Sequence, residues 1–259
     1  MAANAYLLAQ VARGALQRED VAGPMIGSWT GGRLDGVCIL GSNLVISEPA
    51  SEAAIDGFAE YARRQGIPFW VAVGPDRTME RFLRSYGRQT RVIHLERSDQ
   101  VLYELVADDL NESCRSEALR EAQVEDLEAL VTLDRHMVTE EIGFDPFAQA
   151  LQAYRQGWLR RIREGRAWVI GAQGGPLTFK VDQSAVSDHA VQLAGIYTAP
   201  NARGEGIATS ATGEMCRRLL HTCARVTLYV HRENTPAVRL YERLGFRPLG
   251  DVRSVWFEV

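Results

Sequence analysis

Short apolar runs alternate with helix-spaced apolar positions over the first hundred residues of the chain. Residues 26–29 and 37–40 flank the Gly31-Gly32 pair, and this arrangement predicts a β-hairpin. Ser51 stands at an N-cap position before apolar residues at helical spacing, which predicts a helix through Ala54, Ile55, Phe58, Ala59 and Ala62. The remaining patterns predict a helix over residues 5–16, a buried strand at 68–73, a helix through Met79, Phe82 and Leu83, and strands near 91–95 and 101–105.

The second half of the chain repeats this alternation with clearer periods. A strand at 118–121 precedes a helix through Leu127, Leu130, Val131 and Leu133, which is expected to end before an acidic turn at Thr139-Glu140-Glu141. A helix through Tyr154, Trp158 and Ile162 follows. Strands at 167–172, 177–181 and 190–198, a helix over 208–219, a strand at 227–230, a helix ending at Gly245 and a last strand complete the half. This order predicts an α/β fold with a mixed sheet, of the α+β kind.

The length of 259 residues favours two domains, because single hydrophobic cores tend to divide near this size. The polar segment at 108–116 is predicted to be a linker between domains at residues 1–112 and 115–259. With 46% hydrophobic and 24% charged residues, the composition is that of a globular protein.

Charge and cysteine patterns exclude several classes of function. The net charge is −4, and no basic face of the kind that binds nucleic acid is visible. The arginines at 160, 161, 163 and 166 are expected to form a solvated helix end, with the phosphate group of a ligand as the alternative partner. The four cysteines lack metal-ligand spacing, and no apolar stretch is long enough to cross a membrane. We therefore expect no metal, no membrane association and a cytoplasmic location, while the oligomeric state stays open.

A glycine-rich loop follows the strand at 190–198 and leads directly into a helix. Its sequence is Arg203-Gly204-Glu205-Gly206-Ile207-Ala208. Glycines allow the backbone to approach a bulky ligand, and the N–H groups of the next helix attract anions, so this layout suits a pyrophosphate. A simple tight turn is the alternative interpretation.

A second motif accompanies the helix that ends at Gly245. Asn234, Ala237 and Tyr241 lie near one face of this helix, Pro236 is tolerated in its first turn, and Gly245 fits its carboxy-terminal cap. Without the preceding loop, the plainer interpretation would make Tyr241 a core residue and Asn234 only a cap.

Together the two motifs resemble the GCN5-related N-acetyltransferase (GNAT) superfamily over residues 115–259. Residues 203–208 match its pattern Arg/Gln-x-x-Gly-x-Gly/Ala, and residues 234–246 match its closing helix. The first half resembles a domain of unknown function that precedes such a domain in a group of bacterial two-domain proteins, on residues 41–45, 62–64 and 73–75, with 139–146 and 179–180 in the second half. The resemblance implies a tandem GNAT-like architecture with a degenerate amino-terminal copy, no CoA in that copy, and a first strand missing ahead of residue 5.

The resemblance also implies the site and the chemistry. Acetyl-CoA would be the co-substrate, its pantetheine paired with residues 196–198 and its pyrophosphate held by the backbone of the loop. A neutral amine would attack the thioester, and Tyr241 would act as general acid or as hydrogen-bond donor to the sulfur. The implied co-substrate residues are Ile196, Tyr197, Thr198, Arg203, Gly204, Glu205, Gly206, Ile207, Ala208, Thr209, Asn234, Ala237 and Tyr241.

The acceptor is harder to predict. Glu140 or Glu141 is the expected base or amine anchor, with a solvated acidic turn as the alternative, and His189 and His231 are weaker candidates. The acidic pair mildly favours a basic small-molecule or peptide amine. Transfer of a longer acyl group, an amino-acid acceptor and a non-catalytic acyl-CoA sensor stay open, as does a pocket to which Trp29, Trp70 or Tyr103 contributes.

Overall fold

The first half of the protein contains five strands and two helices in the computed structural model, which describes residues 4, 7, 24–41, 43–67, 69–87, 93–143, 145, 147, 148 and 150–257. The predicted hairpin and the Ser51 cap are confirmed, with the Ser51 side chain accepting a hydrogen bond from the Ala54 amide. The elements are β1 (Met25–Thr30), β2 (Arg33–Leu40), β3 (Asn43–Ile46), α1 (Glu52–Gln65), β4 (Val71–Pro75), α2 (Asp76–Tyr86) and β5 (Ile93–Leu105).

The second half follows the predicted order of strand, two helices, three strands, helix, strand, helix and strand. Short 3-10 turns at residues 107–109, 124–126 and 200–202 join some of the elements. The elements are β6 (Arg120–Glu121), α3 (Leu127–Ile142), α4 (Leu151–Arg163), β7 (Ala167–Gly171), β8 (Leu177–Val186), β9 (Val191–Thr198), α5 (Ile207–Leu219), β10 (Val226–His231), α6 (Thr235–Leu244) and β11 (Arg247–Phe257).

All eleven of these strands form one mixed sheet in the order β1-β2-β3-β4-β11-β5-β10-β9-β8-β7-β6. The two halves exchange strands at its centre. β5 of the first half pairs antiparallel with β10, with Val101 opposite Val230, and β11 of the second half pairs antiparallel with β4, with Val255 opposite Ala72. Each half therefore completes its part of the sheet with a strand from the other.

The hydrophobic cores reflect this exchange. The core of the first half packs α1 and α2 against β2, β3 and β4, and it includes Val255 and Phe257 from β11. The core under α5 and α6 in turn includes Val101, Tyr103 and Leu105 from β5. A third cluster lies between α3, α4 and β7 to β9. Because the core residues cross between halves, folding of either half buries apolar surface that the other supplies.

Three expectations from the sequence are corrected. The strands expected near 91–95 and 101–105 are one strand, β5, whose polar middle residues keep backbone pairing with β11. Residues 139–141 are not a turn: they form the last turn of α3, which Gly143 ends in the left-handed conformation. Arg166 is not solvated but 8% exposed, and it donates a hydrogen bond to the Gln183 carbonyl. Of the helix expected over residues 5–16, only Leu7 is described; it packs against Ile39 and Val45.

The segment expected to be a linker packs against the end of α6. The Asn111 amide donates to the Leu244 carbonyl, and the Asn111 side chain donates to the Arg243 carbonyl. Gly245 ends the helix with φ 98°, and a Cβ atom there would lie 1.9 Å from the carbonyl oxygen of Asp109. Glycine is therefore required at this position both by backbone conformation and by close packing.

Replacing Gly245 with alanine is expected to lower the free energy of unfolding by about 2 kcal/mol or more, since backbone strain alone costs of order 1–3 kcal/mol. Gly57→Ala is the matched control, because Gly57 lies inside α1 and a Cβ atom added there would have no other atom within 4 Å. It should leave stability unchanged or raise it by up to about 1 kcal/mol. Denaturant unfolding measures both; equal effects would contradict the packing of Asp109 on Gly245.

Candidate active site

A cleft opens where strands β9 and β10 diverge. These two parallel strands are paired at only two positions, Val226 with Val191 and Thr227 with Gln192. Beyond them β9 continues to Thr198 while remaining paired with β8 on its other side. The edge of β9 that faces β10 is therefore left with free backbone groups, which a ligand with amide groups can pair with.

A β-bulge in β9 lies beside this divergence. Ala194 lies opposite Asp182 and Tyr197 lies opposite Lys180, so β9 has one more residue than β8 between these pairs. Gly195, within the bulge, has φ 58°. A Cβ atom on Gly195 would lie 2.5 Å from both the Asp182 carboxylate and the Lys180 ammonium group. The bulge thus depends on glycine and on the polar groups packed beneath it.

Lys180 fixes the bulge from inside the protein. It is 1% exposed, it donates a 2.8 Å hydrogen bond to the Gly195 carbonyl, and its Nζ lies 2.5 Å from Asp134 Oδ1 on α3. The other carboxylate oxygen of Asp134 accepts hydrogen bonds from Tyr154 and Trp158 on α4. A buried ion pair of this kind is tolerated because each partner also makes further hydrogen bonds.

The loop after β9 presents its backbone toward the cleft. Gly204 and Gly206 have φ 83° and 78°, conformations that favour glycine, and no atom lies within 4 Å of a Cβ placed on either. Gly206 is the N-cap of α5 and offers no side chain to cap it. The first N–H groups of α5 therefore remain available for an anion, as the sequence predicts.

The loop and α6 form the two walls of a cavity of about 480 Å³, here called the α5–α6 cleft. Asn234 caps α6 as predicted, since its side chain accepts a hydrogen bond from the Ala237 amide. Of the predicted co-substrate residues, only Glu205 does not line the cleft; it is exposed to solvent. The lining residues are Ile196, Tyr197, Thr198, Ala202, Arg203, Gly204, Gly206, Ile207, Ala208, Thr209, Asn234, Pro236, Ala237, Arg239, Leu240, Tyr241 and Arg243.

Tyr241 lines this cleft from the buried side of α6 and is 6% exposed. Burial raises the pKa of its phenol well above the ordinary value of 10, and the nearby negative charge of Glu141 adds to the increase. The phenol is therefore protonated throughout the physiological pH range. It can donate a hydrogen bond, but it resists giving up its proton.

Glu140, in the last turn of α3, connects this helix to the glycine-rich loop through an ion pair with Arg203. Its carboxylate lies 2.7 Å from Nη2 of Arg203, and this hydrogen bond lowers the pKa of Glu140. Arg203 also donates through Nε to the Thr198 carbonyl and stacks on the ring of Tyr197, 5.1 Å from its centroid. Because Glu140 is already paired with a cation, it is poorly suited to act as a base.

Glu141 has the opposite electrostatic environment. The residue is accessible to solvent, yet the protein that surrounds its carboxyl group raises the pKa above the usual range. The positive charges of Lys180 and Arg97 oppose this increase, as does His231 when it is protonated, without reversing it. An accessible carboxyl group with a raised pKa, within electrostatic range of Tyr241, is typical of a proton acceptor at a reaction centre.

Strand β5 of the first half supplies further groups near the end of β10. His231 Nδ1 lies 3.2 Å from both carboxylate oxygens of Asp99, and the Gln100 amide nitrogen lies 3.5 Å from His231 Nε2. Gln100 Oε1 accepts a 2.6 Å hydrogen bond from Ser254 on β11. This network assigns the proton to Nδ1, facing Asp99, and leaves the lone pair on Nε2. We call Arg97, Asp99, Gln100, Glu141 and His231 the β5–β10 cluster.

Several of these groups were missed by the sequence interpretation. Lys180 is the only lysine among the chain's 29 lysine and arginine residues. A single lysine in an apolar strand indicates a buried cation that needs a partner, and it could have been singled out from the sequence on that ground. Arg239 and Arg243 lie one helical turn apart on α6, so both could have been assigned to the cleft from the position of Tyr241. Asp99 and Arg97 carry no such signal, because only the strand exchange brings them to the site.

A separate cavity of about 420 Å³ lies between the start of α2 and β11. Its lining includes the carboxylates of Glu48, Asp76 and Asp251. Arg77 also lines the cavity, and Asp76 and Asp251 pair with Arg253 and Arg232. None of the residues predicted to bind the co-substrate lines this cavity.

The match to a known protein family covers the part of the chain that forms the α5–α6 cleft. The model of the acetyltransferase (GNAT) family matches residues 120–246, from β6 to just beyond α6. Residues 120–246 belong to the GNAT family. The match includes the glycine-rich loop and Tyr241, and membership supports a transferase activity, since the family uses acetyl-CoA or CoA. No curated protein matches the chain in sequence.

Solved structures with the same fold include several GNAT proteins. A putative GNAT acetyltransferase from Novosphingobium aromaticivorans matches with a TM-score of 0.57 at 14% identity, over 98% of this chain and 96% of its own. A GCN5-related N-acetyltransferase from Kribbella flavida matches with 0.55 at 17% identity, over 98% and 96%. A tandem GNAT protein of the clavulanic acid biosynthesis pathway matches with 0.53 at 15% identity, over 97% and 92%. The predicted mixed-sheet fold is therefore confirmed over both halves.

Two expected absences can be examined only over part of the chain. Among the described residues, no helix is long and apolar enough to cross a membrane. Within the same ranges, no group of three or more histidine, cysteine or acidic residues is arranged to hold a metal ion.

Replacing Lys180 with methionine is expected to lower the free energy of unfolding by about 3–5 kcal/mol, because Asp134 would keep a buried charge without its counter-ion. Arg64→Met is the matched control: it breaks an ion pair with Glu60 whose side chains are 71% and 49% exposed, and should cost about 1 kcal/mol or less. Denaturant unfolding of both variants measures the difference. A loss for Lys180→Met no larger than the control's would show that the buried pair does not support the fold.

Proposed function

We propose that the protein is an acetyl-CoA-dependent N-acetyltransferase in which a neutral amine attacks the thioester directly. The observation that carries this proposal is the uncapped amino terminus of α5, with Gly204 and Gly206 before it, in the same cleft as Tyr241. The first feature suits a pyrophosphate, and the second places a hydroxyl donor deeper in the same cavity. The family of residues 120–246 agrees with both.

The described residues fit acetyl-CoA as co-substrate. The free edge of β9 offers backbone groups to the pantetheine amides, and Thr198 Oγ1 is buried without a hydrogen-bond partner among the described residues. The open space before Gly204 and Gly206 admits the pyrophosphate. Arg239 and Arg243 are exposed at the mouth of the cleft, where they could pair with the ribose phosphate. One ligand can therefore form hydrogen bonds both with the hydroxyl group of Thr198 and with the free N–H groups at the start of α5.

Tyr241 acts as a hydrogen-bond donor to the sulfur rather than as a full acid. A departing thiolate has an ordinary pKa of about 8.5. Because burial raises the pKa of Tyr241 above 10, complete proton transfer to the thiolate would be uphill. A hydrogen bond that strengthens as charge develops on sulfur stabilises the transition state without that cost.

Glu141, rather than Glu140, accepts the proton of the incoming amine. Only about one part in 2,500 of an alkylamine with a pKa of 10.4 is neutral at pH 7, so a base contributes strongly. Glu140 is paired with Arg203, whereas Glu141 has a raised pKa and lies near Tyr241. His231, whose Nδ1 lies 3.2 Å from Asp99, is close enough to Glu141 to influence the pKa of its carboxyl group.

Tyr241→Phe is expected to lower kcat for acetyl transfer by about 10- to 100-fold, the effect of losing one hydrogen bond to a charged group. The dissociation constant for acetyl-CoA should change less than about threefold, because the phenol acts on developing charge. Calorimetric titration with acetyl-CoA and CoA, together with thiol release in an amine screen, measures both quantities. Tyr61→Phe, on the surface of α1, is the control.

The same experiment separates the alternatives. Saturable binding without thiol release for any amine, and no effect of Tyr241→Phe, would favour a non-catalytic acyl-CoA sensor. Titration with longer acyl-CoA thioesters tests transfer of a longer chain. No binding of any acyl-CoA would leave residues 203–208 as a simple turn and would remove the basis of the enzymatic proposal.

Glu141→Gln is expected to change the pH dependence of kcat/KM. With Glu141 as base, the rate rises with pH until its carboxyl group, whose pKa is raised, has ionised, and then levels off. Without it, only the neutral amine reacts, so the rate should keep rising about tenfold per pH unit toward the pKa of the amine. Glu140→Gln should retain the wild-type shape. A plateau in Glu141→Gln at the wild-type pH would exclude Glu141 as the base.

A further inference from the structure

A second β-bulge, in β5, lies beside two charged side chains that contact the end of α3 and the end of β10. Arg97 lies opposite Ser254 and Gln100 lies opposite Val252, so β5 has one more residue than β11 between these pairs. Bulges of this kind re-aim side chains next to functional sites. Arg97 on one side of the bulge contacts α3, and Asp99 on the other side contacts His231.

Among the described residues, no carboxylate pairs with the guanidinium group of Arg97. Its Nη2 donates a 3.0 Å hydrogen bond to the Glu141 carbonyl, but its Nε is buried and has no hydrogen-bond partner there. No carboxylate of the described residues lies within ion-pair distance of this guanidinium group, whereas Arg253, on the neighbouring strand, pairs with Asp76 and Glu96. A half-buried cation without a counter-ion is costly unless a ligand supplies one.

The nearby carboxylates do not fill this role. Asp99 is bound to His231, and Glu140 is bound to Arg203. The charge of Arg97 reaches the carboxyl group of Glu141 and lowers its pKa, but burial outweighs it and the net shift is upward. The β5–β10 cluster therefore combines one group suited to an amine with one guanidinium group suited to a carboxylate.

We propose that the acceptor is an amino acid or a related amino-carboxylate, whose carboxylate binds Arg97 while its amino group reaches Glu141. This inference rests on the proposed acetyl transfer. Arg97 contacts the backbone of the same residue whose side chain takes the amine, and it lies within electrostatic range of that carboxyl group, so one small molecule could reach both groups. A polyamine fits less well, because its second ammonium group would meet the charge of Arg97.

Matched acceptors test the assignment. The kcat/KM of thiol release is measured for L-phenylalanine with phenethylamine and for L-leucine with isoamylamine, pairs that differ in the carboxylate. Arg97→Gln is expected to lower kcat/KM for the amino acids about 10- to 100-fold more than for the amines, the range for a lost charge-assisted hydrogen bond. Comparing the ratio between variants removes the difference in amine pKa. Arg97→Lys should retain part of the preference.

Arg64→Gln, on the exposed surface of α1, controls for loss of an arginine and should leave the ratio unchanged. An equal loss for both members of each pair in Arg97→Gln would overturn the assignment and leave Arg97 as a support for the end of α3. A wild-type preference for the amines would overturn it as well. These outcomes differ from failure of the proposed function, in which acetyl-CoA binds but no acceptor of either kind releases thiol.

Discussion

The ion pair between Lys180 and Asp134 is the constraint on which the site depends. Lys180 holds the carbonyl of Gly195, and this contact fixes the bulge that turns β9 away from β10. Without the bulge, β9 would be free to pair with β10 along its whole length, and the edge that offers backbone groups to a pantetheine would be closed. A buried pair contributes little net stability compared with an apolar replacement, so its value here is the specific shape of β9.

The exchange of β5 and β11 brings side chains of the first half against α3 and β10 of the second. Asp99 fixes the tautomer of His231, and Arg97 holds the end of α3, where Glu141 lies. The corresponding helix of the first half is unsuited to phosphate, because the Ser51 side chain caps α1 and Glu52 places a negative charge in its first turn. The first half thus differs from the second at the start of this helix, which is capped in α1 and uncapped in α5, while its last strand contacts α3 and β10.

Local features of the site could be predicted from the sequence, and features that depend on distant contacts could not. The cap residues Ser51 and Asn234, the terminal Gly245 and the loop at 203–208 are encoded within a few neighbouring residues, and all were predicted correctly. The end of α3 was misplaced because Glu140 and Glu141 were taken for a turn, although the helix stops only at Gly143. The roles of Asp99 and Arg97 depend on pairing across more than a hundred residues, which no local pattern reveals.

The charges of the cluster also limit which proton transfers are possible. The negative charge of an ionised Glu141 raises the pKa of Tyr241 further and makes the phenol still less acidic. In the proposed mechanism, this negative charge disappears once Glu141 has accepted the amine's proton, and Tyr241 becomes a better hydrogen-bond donor at the stage when the sulfur becomes negative. Proton uptake on one side of the thioester therefore favours charge stabilisation on the other. This proposed order of events follows from the electrostatic coupling between Glu141 and Tyr241, without a separate acid.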